Sequence, residues 1–299
     1  MRGEQTRWGH LITAMVTPLD AAGRILPERA GEIARWLLSQ GSESVVVNGT
    51  TGESPTTSLD EKVELVRAVV AAVGSERVIA GAGGNNTAEI VELAVRSRSA
   101  GASCLLSVAP YYNKPSQEGL YRHFRAIAHA AGDLPVLLYN VPGRTITNIE
   151  PTTTARLAAD VPNIIGTKEA SANMAQVAEI VRTTPDDFLV YSGDDATILP
   201  TLALGGAGVI SVISHAVGPD LASLMRLWFS GDREGALRKF VATLPVTRAL
   251  FSAPSPAPTK FALSLLGQDA GPVRLPLVDL DDAEKMAVAA ALREYGLPL

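Results

Sequence analysis

Short apolar runs alternate with amphipathic helical patterns through residues 11–229, and this alternation constrains the fold more than any other feature of the chain. Residues 11–16 read as a strand, and residues 27–40 as a helix with Ile33, Trp36 and Leu37 on one face. The pair recurs as 44–47 with 59–73, 78–81 with 87–100, and 104–108 with 116–131. It continues as 136–139 with 152–159, 164–167 with 174–183, 188–192 with 197–204, and 208–212 with 219–229. Asp60 and Glu61 open the second helix well against the macrodipole, and Ser116 followed by Gln117 and Glu118 is a plausible helix start. The strands are apolar throughout, as in a parallel sheet covered on both faces. Eight strand–helix units in about 230 residues is the arithmetic of an α/β protein of the (β/α)8 TIM-barrel class. A doubly wound open sheet competes, but no G-x-G-x-x-G follows the first strand, and Gly81-Ala82-Gly83-Gly84 is a weak substitute.

Beyond residue 231 the pattern is helical only, at about 232–251, 259–266 and 281–295, broken by Ala253-Pro254-Ser255-Pro256-Ala257-Pro258. Residues 1–231 therefore read as a catalytic barrel and 232–299 as a helical extension packed on it.

Composition narrows the partners. The 299 residues are 46% hydrophobic and only 5% aromatic, so aliphatic and small side chains must fill the core. The net charge of -5 and the absence of a basic block argue against nucleic acid and anionic membrane. The uncharged span 196–219 holds Pro200, Pro219 and four glycines, which suit a helix, a turn and a buried strand better than a membrane span. Residues 1–10 are polar and lack an apolar signal core. Cys104 is the only cysteine, so a disulfide framework and a cysteine metal cluster are both excluded, and a cytoplasmic setting is expected. His10, His123, His129 and His215 show no ligand spacing, and no metal is expected.

Unusual residues collect at the carboxyl ends of the strands, where such barrels carry their active sites. In Asn163-Ile164-Ile165-Gly166-Thr167-Lys168-Glu169-Ala170 a lysine follows a buried strand. Desolvation disfavours a charged ammonium and frees an amine to attack a carbonyl; the alternative is a surface Lys-Glu pair. Gly49-Thr50-Thr51-Gly52-Glu53 is a tight loop whose amides can converge on a carboxylate, or an ordinary polar turn. Pro110-Tyr111-Tyr112-Asn113-Lys114-Pro115 offers hydroxyls or packing surface. Tyr139, ending the fifth strand in Tyr139-Asn140-Val141-Pro142-Gly143-Arg144, can relay protons or merely reach out of the core, and Arg144 can clamp a carboxylate or stay solvated. Ser192-Gly193-Asp194-Asp195 leaves room for a ligand, its acids reading as loop or capping groups. With no P-loop and no nucleophile elbow, a lysine, tyrosines, hydroxyls and an arginine remain: the means for Schiff-base chemistry on a keto acid.

GTTGE, PYYNKP, YNVPGRT, IGTKEA, SGDD and GVISV, in this order and on these strands, closely resemble the dihydrodipicolinate synthase family of pyruvate-dependent class I aldolases, over nearly the whole chain. The resemblance implies condensation of pyruvate with L-aspartate 4-semialdehyde to 4-hydroxy-tetrahydrodipicolinate, the entry to diaminopimelate and lysine, with no cofactor beyond a covalent imine on Lys168. It implies that Thr50 and Thr51 hold the pyruvate carboxylate and that Arg144 binds that of the semialdehyde. Gly193 and Ile210 would line the pyruvate pocket. Tyr139, Thr50 and Tyr112 would form a proton relay, Tyr112 reaching in from a neighbouring subunit of a homotetramer built of two tight dimers.

Two readings compete. A sister aldolase would cleave a sialic acid or a 2-keto-3-deoxy sugar acid, with Arg144 as the discriminating residue. A catalytically silent barrel would lack Lys168, Tyr139, Thr50 or Tyr112, all of which are present. Two departures from the family pattern stand out. Ser255 replaces the usual asparagine of the Pro-rich bridge. Leu59 and Lys62 replace the usual histidines of lysine-inhibited members, so inhibition by L-lysine is expected to be weak or absent.

Overall fold

The computed structural model describes residues 6–299. Eight parallel strands close into a barrel in sequence order: β1 (Leu11–Ala14), β2 (Ser44–Val47), β3 (Val78–Gly81), β4 (Cys104–Val108), β5 (Val136–Asn140), β6 (Ile164–Glu169), β7 (Leu189–Ser192) and β8 (Gly208–Ser211). The expected fold class is the observed one. Between and beyond the strands run α1 (Pro27–Ser39), α2 (Leu59–Val73), α3 (Thr87–Ser99), α4 (Gln117–Ala131), the single turn α5 (Pro142–Thr145), α6 (Pro151–Asp160), α7 (Met174–Thr183), α8 (Ile198–Ala203), α9 (Ser214–Ser230), α10 (Arg233–Leu250), α11 (Ala257–Leu265) and α12 (Asp282–Tyr295).

Strand residues alternate between two apolar environments, which is why the sequence shows no polar face. Ile12, Val46, Ile79, Leu106, Leu137, Tyr139, Tyr191 and Ile210 point inward and fill the barrel. Val45, Val47, Val78, Leu105, Val136, Leu138 and Val190 point outward against the helices. Helix starts are written locally. Ser58 and Glu61 form a capping box on α2, and the Ser116 hydroxyl accepts the Gly119 amide at the start of α4.

Several boundaries shift by one or two residues from expectation, and two of the differences have a clear physical reason. β6 runs through Lys168 and Glu169 rather than stopping at Thr167, because both residues pair in the ladder. α9 begins at Ser214, ahead of the expected start at Pro219, and bends where Val217 leaves helical geometry. Proline supplies no amide to the preceding turn, which makes it look like a first residue in sequence.

The C-terminal helices share a buried cluster with the barrel. Leu11, Val209 and α9 residues Leu221 and Leu224 pack with Phe240 and Val246 of α10, Ala262 of α11 and Leu292 of α12. Among the described residues no helix is long and apolar enough to cross a membrane.

Candidate active site

Two cavities of about 370 and 590 Å³ open at the carboxyl ends of the strands, and they share Thr50, Tyr139, Val141 and Arg144. The smaller also contains Lys168, Thr51 and Gly193.

Lys168 is held by the ladder itself, opposite Tyr139 on β5 and Tyr191 on β7. It is 4% exposed, and its Nζ lies 4.4 Å from the centroid of the Tyr139 ring. No carboxylate pairs with it among the described residues. Glu169, its sequence neighbour, projects from the other face, as the two-residue period of a strand demands. The Glu169 carboxylate accepts Asn140 Nδ2 at 3.1 Å on each oxygen, the Ser171 amide at 2.8 Å and Gln176 Nε2 at 3.2 Å. Burial pushes its pKa up, and those hydrogen bonds work against the rise. The surface Lys-Glu pair is thus replaced by two buried groups on opposite faces of β6. Gly193 makes room for the lysine stem, since a Cβ there would lie 2.7 Å from Ala170 Cβ and 3.0 Å from Lys168 Cγ.

The 49–53 loop is tight. The Gly52 amide donates to Gly49 O at 3.0 Å and the Glu53 amide to Thr50 O at 3.0 Å. Thr17 Oγ1 donates to Gly52 O at 2.7 Å from the end of β1. Gly81 on β3 lets this loop approach, because a Cβ there would stand 2.1 Å from Asn48 O. Thr51 is buried and Thr50 half-buried on the cavity wall.

Arg144 lies on α5 rather than in an open loop; Pro142 starts that turn with its fixed φ. The acids after β7 cap, as expected. Asp194 Oδ1 accepts the Ala196 amide at 2.9 Å. Asp195 Oδ2 accepts the Val212 and Ile213 amides at 2.9 and 3.2 Å, tying β7 to the entry of α9. Among the described residues no three His, Cys, Asp or Glu side chains group as metal ligands.

The comparisons with known proteins agree with one another. The family model described as the dihydrodipicolinate synthetase family matches residues 7–295. The chain belongs to the dihydrodipicolinate synthetase family. The 4-hydroxy-tetrahydrodipicolinate synthase of Symbiobacterium thermophilum is 51% identical over 291 residues, covering 97% of this chain and 99% of that protein. The enzyme of the same name from Bacillus subtilis is 47% identical over 288 residues, covering 96% and 99%. The crystal structure of the dihydrodipicolinate synthase of Cyanidioschyzon merolae with lysine bound superposes with a TM-score of 0.96 at 44% identity, covering 98% of this chain and all of that one.

Within this dihydrodipicolinate synthetase family member, Lys168, Tyr139, Thr50, Thr51, Arg144 and Gly193 come together in one cavity. Two residues expected there do not join them. Ile210 is 1% exposed and packs inside the barrel, lining neither cavity. Tyr112, at φ 69, is 88% exposed and lines neither cavity of its own chain. The larger cavity extends past Leu59, Lys62, Asn85, Glu89 and Tyr111. Lys62 Nζ donates to Thr57 O at 2.7 Å there; burial lowers its pKa against the opposing pull of Glu89.

Other contributions were missed in the sequence. Thr247, Arg248 and Phe251 of the extension line the smaller cavity, beside the Ser255 already singled out in the Pro-rich bridge. Lys260 pairs with Glu53 in the interior. A lysine inside the otherwise uncharged Thr259-Lys260-Phe261-Ala262-Leu263 was the available signal, since a buried lysine requires a partner.

Proposed function

We propose that the chain condenses pyruvate with L-aspartate 4-semialdehyde to give 4-hydroxy-tetrahydrodipicolinate, acting as a lyase of diaminopimelate and lysine biosynthesis through an imine on Lys168. The observation that carries the reading is Lys168 itself: a lysine 4% exposed, without a counter-ion among the described residues, on a cavity wall shared with two threonines and Arg144. The naming of the relatives supports the overall reaction.

The Lys168 amine adds to C2 of pyruvate, and the carbinolamine loses water to form the imine. The imine withdraws electrons from the methyl group, which gives up a proton and becomes an enamine. The enamine carbon bonds to the aldehyde carbon of the semialdehyde, whose oxygen takes a proton. The amine of the semialdehyde portion then attacks C2 and releases Lys168 as the ring closes. Pyruvate and semialdehyde together leave as product plus water, so no cofactor is consumed. Each step moves a proton at a site whose walls carry no histidine, and Tyr139 and Thr50 are the hydroxyl carriers within the chain, with Tyr112 of a second copy completing the relay. The pyruvate carboxylate is assigned to Thr50, Thr51 and their loop amides, that of the semialdehyde to Arg144, and the pocket wall to Gly193, with Ile210 behind it. The barrel of residues 1–231, its extension 232–299, a homotetramer and a cytoplasmic location belong to the same reading.

A coupled assay with pyruvate and semialdehyde, beside cleavage of a sialic acid and a 2-keto-3-deoxy sugar acid, tests the substrates. Borohydride trapping with pyruvate tests the chemistry. Wild type should gain the mass of reduced pyruvate, and Lys168→Ala should not. Equal trapping in that variant, or faster sugar-acid cleavage than condensation, overturns the reading.

A further inference from the structure

Among the described residues Lys168, Arg144 and Arg248 are the cations lining the smaller cavity, and Asp194 is its only acid. The chain as a whole carries a net charge of -5, so this cavity inverts the sign of its surroundings. Asp194 is already engaged as a cap on the Ala196 amide. Neither Arg144 nor Arg248 has a side-chain hydrogen bond, ion pair or ring contact among the described residues, whereas Arg24, Arg29, Arg96, Arg156, Arg182 and Arg274 all pair with acids. Arg35, Arg67, Arg226 and Arg293 are likewise unpaired, but they line neither cavity. A guanidinium stays charged at every relevant pH, so two unpaired forks at one mouth form a receptor for anionic oxygen.

The position of Arg248 is fixed by its helix. It stands in the last turn of α10 between buried Thr247 and buried Leu250, with Val246 buried one residue earlier. Thr247 Oγ1 donates to Thr243 O at 3.1 Å, and Thr247 and Phe251 line the same cavity. A basic residue at a helix C-terminus also favours the macrodipole. That effect does not require it to face Lys168.

We propose that Arg248 is a second carboxylate-binding residue for the incoming aldehyde acid, sharing that carboxylate with Arg144. The inference rests on the function proposed above and extends it to a residue outside the barrel. Lys168 is buried at 4% exposure, whereas Arg144 and Arg248 are both exposed. The deep group meets the keto acid, and the outer pair meets the second anion as it enters. Two forks on one carboxylate select an aldehyde acid over a neutral aldehyde of the same length.

The test is steady-state kinetics of the full chain in Arg248→Gln and Arg248→Lys, with Arg293→Gln as a control for the lost charge. In Arg248→Gln the KM for the semialdehyde should rise about three- to fivefold, the upper part of the range for one exposed guanidinium–carboxylate contact. The KM for pyruvate and borohydride trapping should stay within about twofold. Arg248→Lys should fall between Gln and wild type, and added KCl should raise the semialdehyde KM less steeply in Arg248→Gln than in wild type. A semialdehyde KM within twofold of wild type overturns the proposal, and so does a parallel rise in both KM values, which marks a general packing role. If Arg248→Gln does not fold, a semialdehyde KM in Arg248→Lys equal to wild type at low and high KCl overturns it as well. A wild type that traps pyruvate yet does not consume semialdehyde refutes the parent reading, and the inference falls with it.

Discussion

Lys260 of α11 and Glu53 of the loop after β2 form an ion pair of 2.7 Å with side chains only 3% and 2% exposed. Lys260 Nζ also donates to Pro272 O at 2.6 Å, and Glu53 Oε2 accepts the Arg274 amide at 2.8 Å. Burial lowers the lysine pKa, and the Glu53 charge opposes it. The extension thereby grips the loop that presents Thr50 and Thr51. Removing one partner strands the other charge in the interior, at a cost of about 3–5 kcal/mol. Lys260→Met should lower the urea midpoint accordingly, and Glu53→Gln with Lys260→Met should recover much of the loss. A midpoint for Lys260→Met equal to wild type would show the pair to be dispensable.

Tyr112 concerns assembly. A tyrosine at φ 69 and 88% exposure is strained and uncovered in its own chain. If its hydroxyl completes a neighbour's relay, Tyr112→Phe should lower kcat about tenfold or more while pyruvate trapping persists. Dilution to monomer should remove turnover without unfolding the barrel. Sedimentation run beside the assay checks this, and an active monomer contradicts it.

L-Lysine should inhibit weakly or not at all, although a relative is known with lysine bound. Leu59 offers the larger cavity no hydrogen bond, and Lys62 brings a cation toward a ligand that carries its own ammonium groups. Among the described residues Glu89 remains the only acid on that wall. Initial rates against L-lysine at half-saturating pyruvate measure the effect. Saturable inhibition at sub-millimolar lysine, lost in Glu89→Ala, would refute the expectation.

Acid should act through His215. Its Nδ1 donates to Val212 O at 2.8 Å and its Nε2 accepts the Val16 amide at 3.3 Å, so the ring is held neutral; burial pushes its pKa down to about 4. The unfolded ring takes its proton near 6.5, before the folded one does, so stability falls as pH drops from about 6.5 to about 4 and changes no further below that. The contribution is on the order of 3 kcal/mol. Glu169 and Asp195, whose pKa values burial raises, have the opposite slope. Comparing His215→Asn with wild type isolates the histidine: the variant's urea midpoint should vary less between pH 7 and 4.5. Identical slopes would rule the imidazole out.

Local rules made the barrel legible. The bounds of β2, α2, β3, β4 and α7 follow directly from apolar runs and caps, because each element's ends are set by its own residues. Lys168, Tyr139, Thr50, Thr51, Arg144 and Gly193 were legible because barrel topology delivers every strand end to one face. Arg248, Lys260 and the Glu169 cluster were not. Their roles depend on how α10 and α11 dock and on which way Glu169 points, and neither is encoded within a short window. Ile210 was expected on the pocket wall; it is an inward residue of β8 that packs in one cluster with Tyr139 and Tyr191 and lines neither cavity.

The docking of α10 and α11 has a bearing on how such barrels diversify. One tail supplies Arg248 and Phe251 to the entrance and, through Lys260, clasps the loop beneath it. Selectivity at the entrance can then drift by rewriting the tail while β6, which carries Lys168, stays untouched, and a graft of this tail onto a sister barrel would have to carry Glu53 with it.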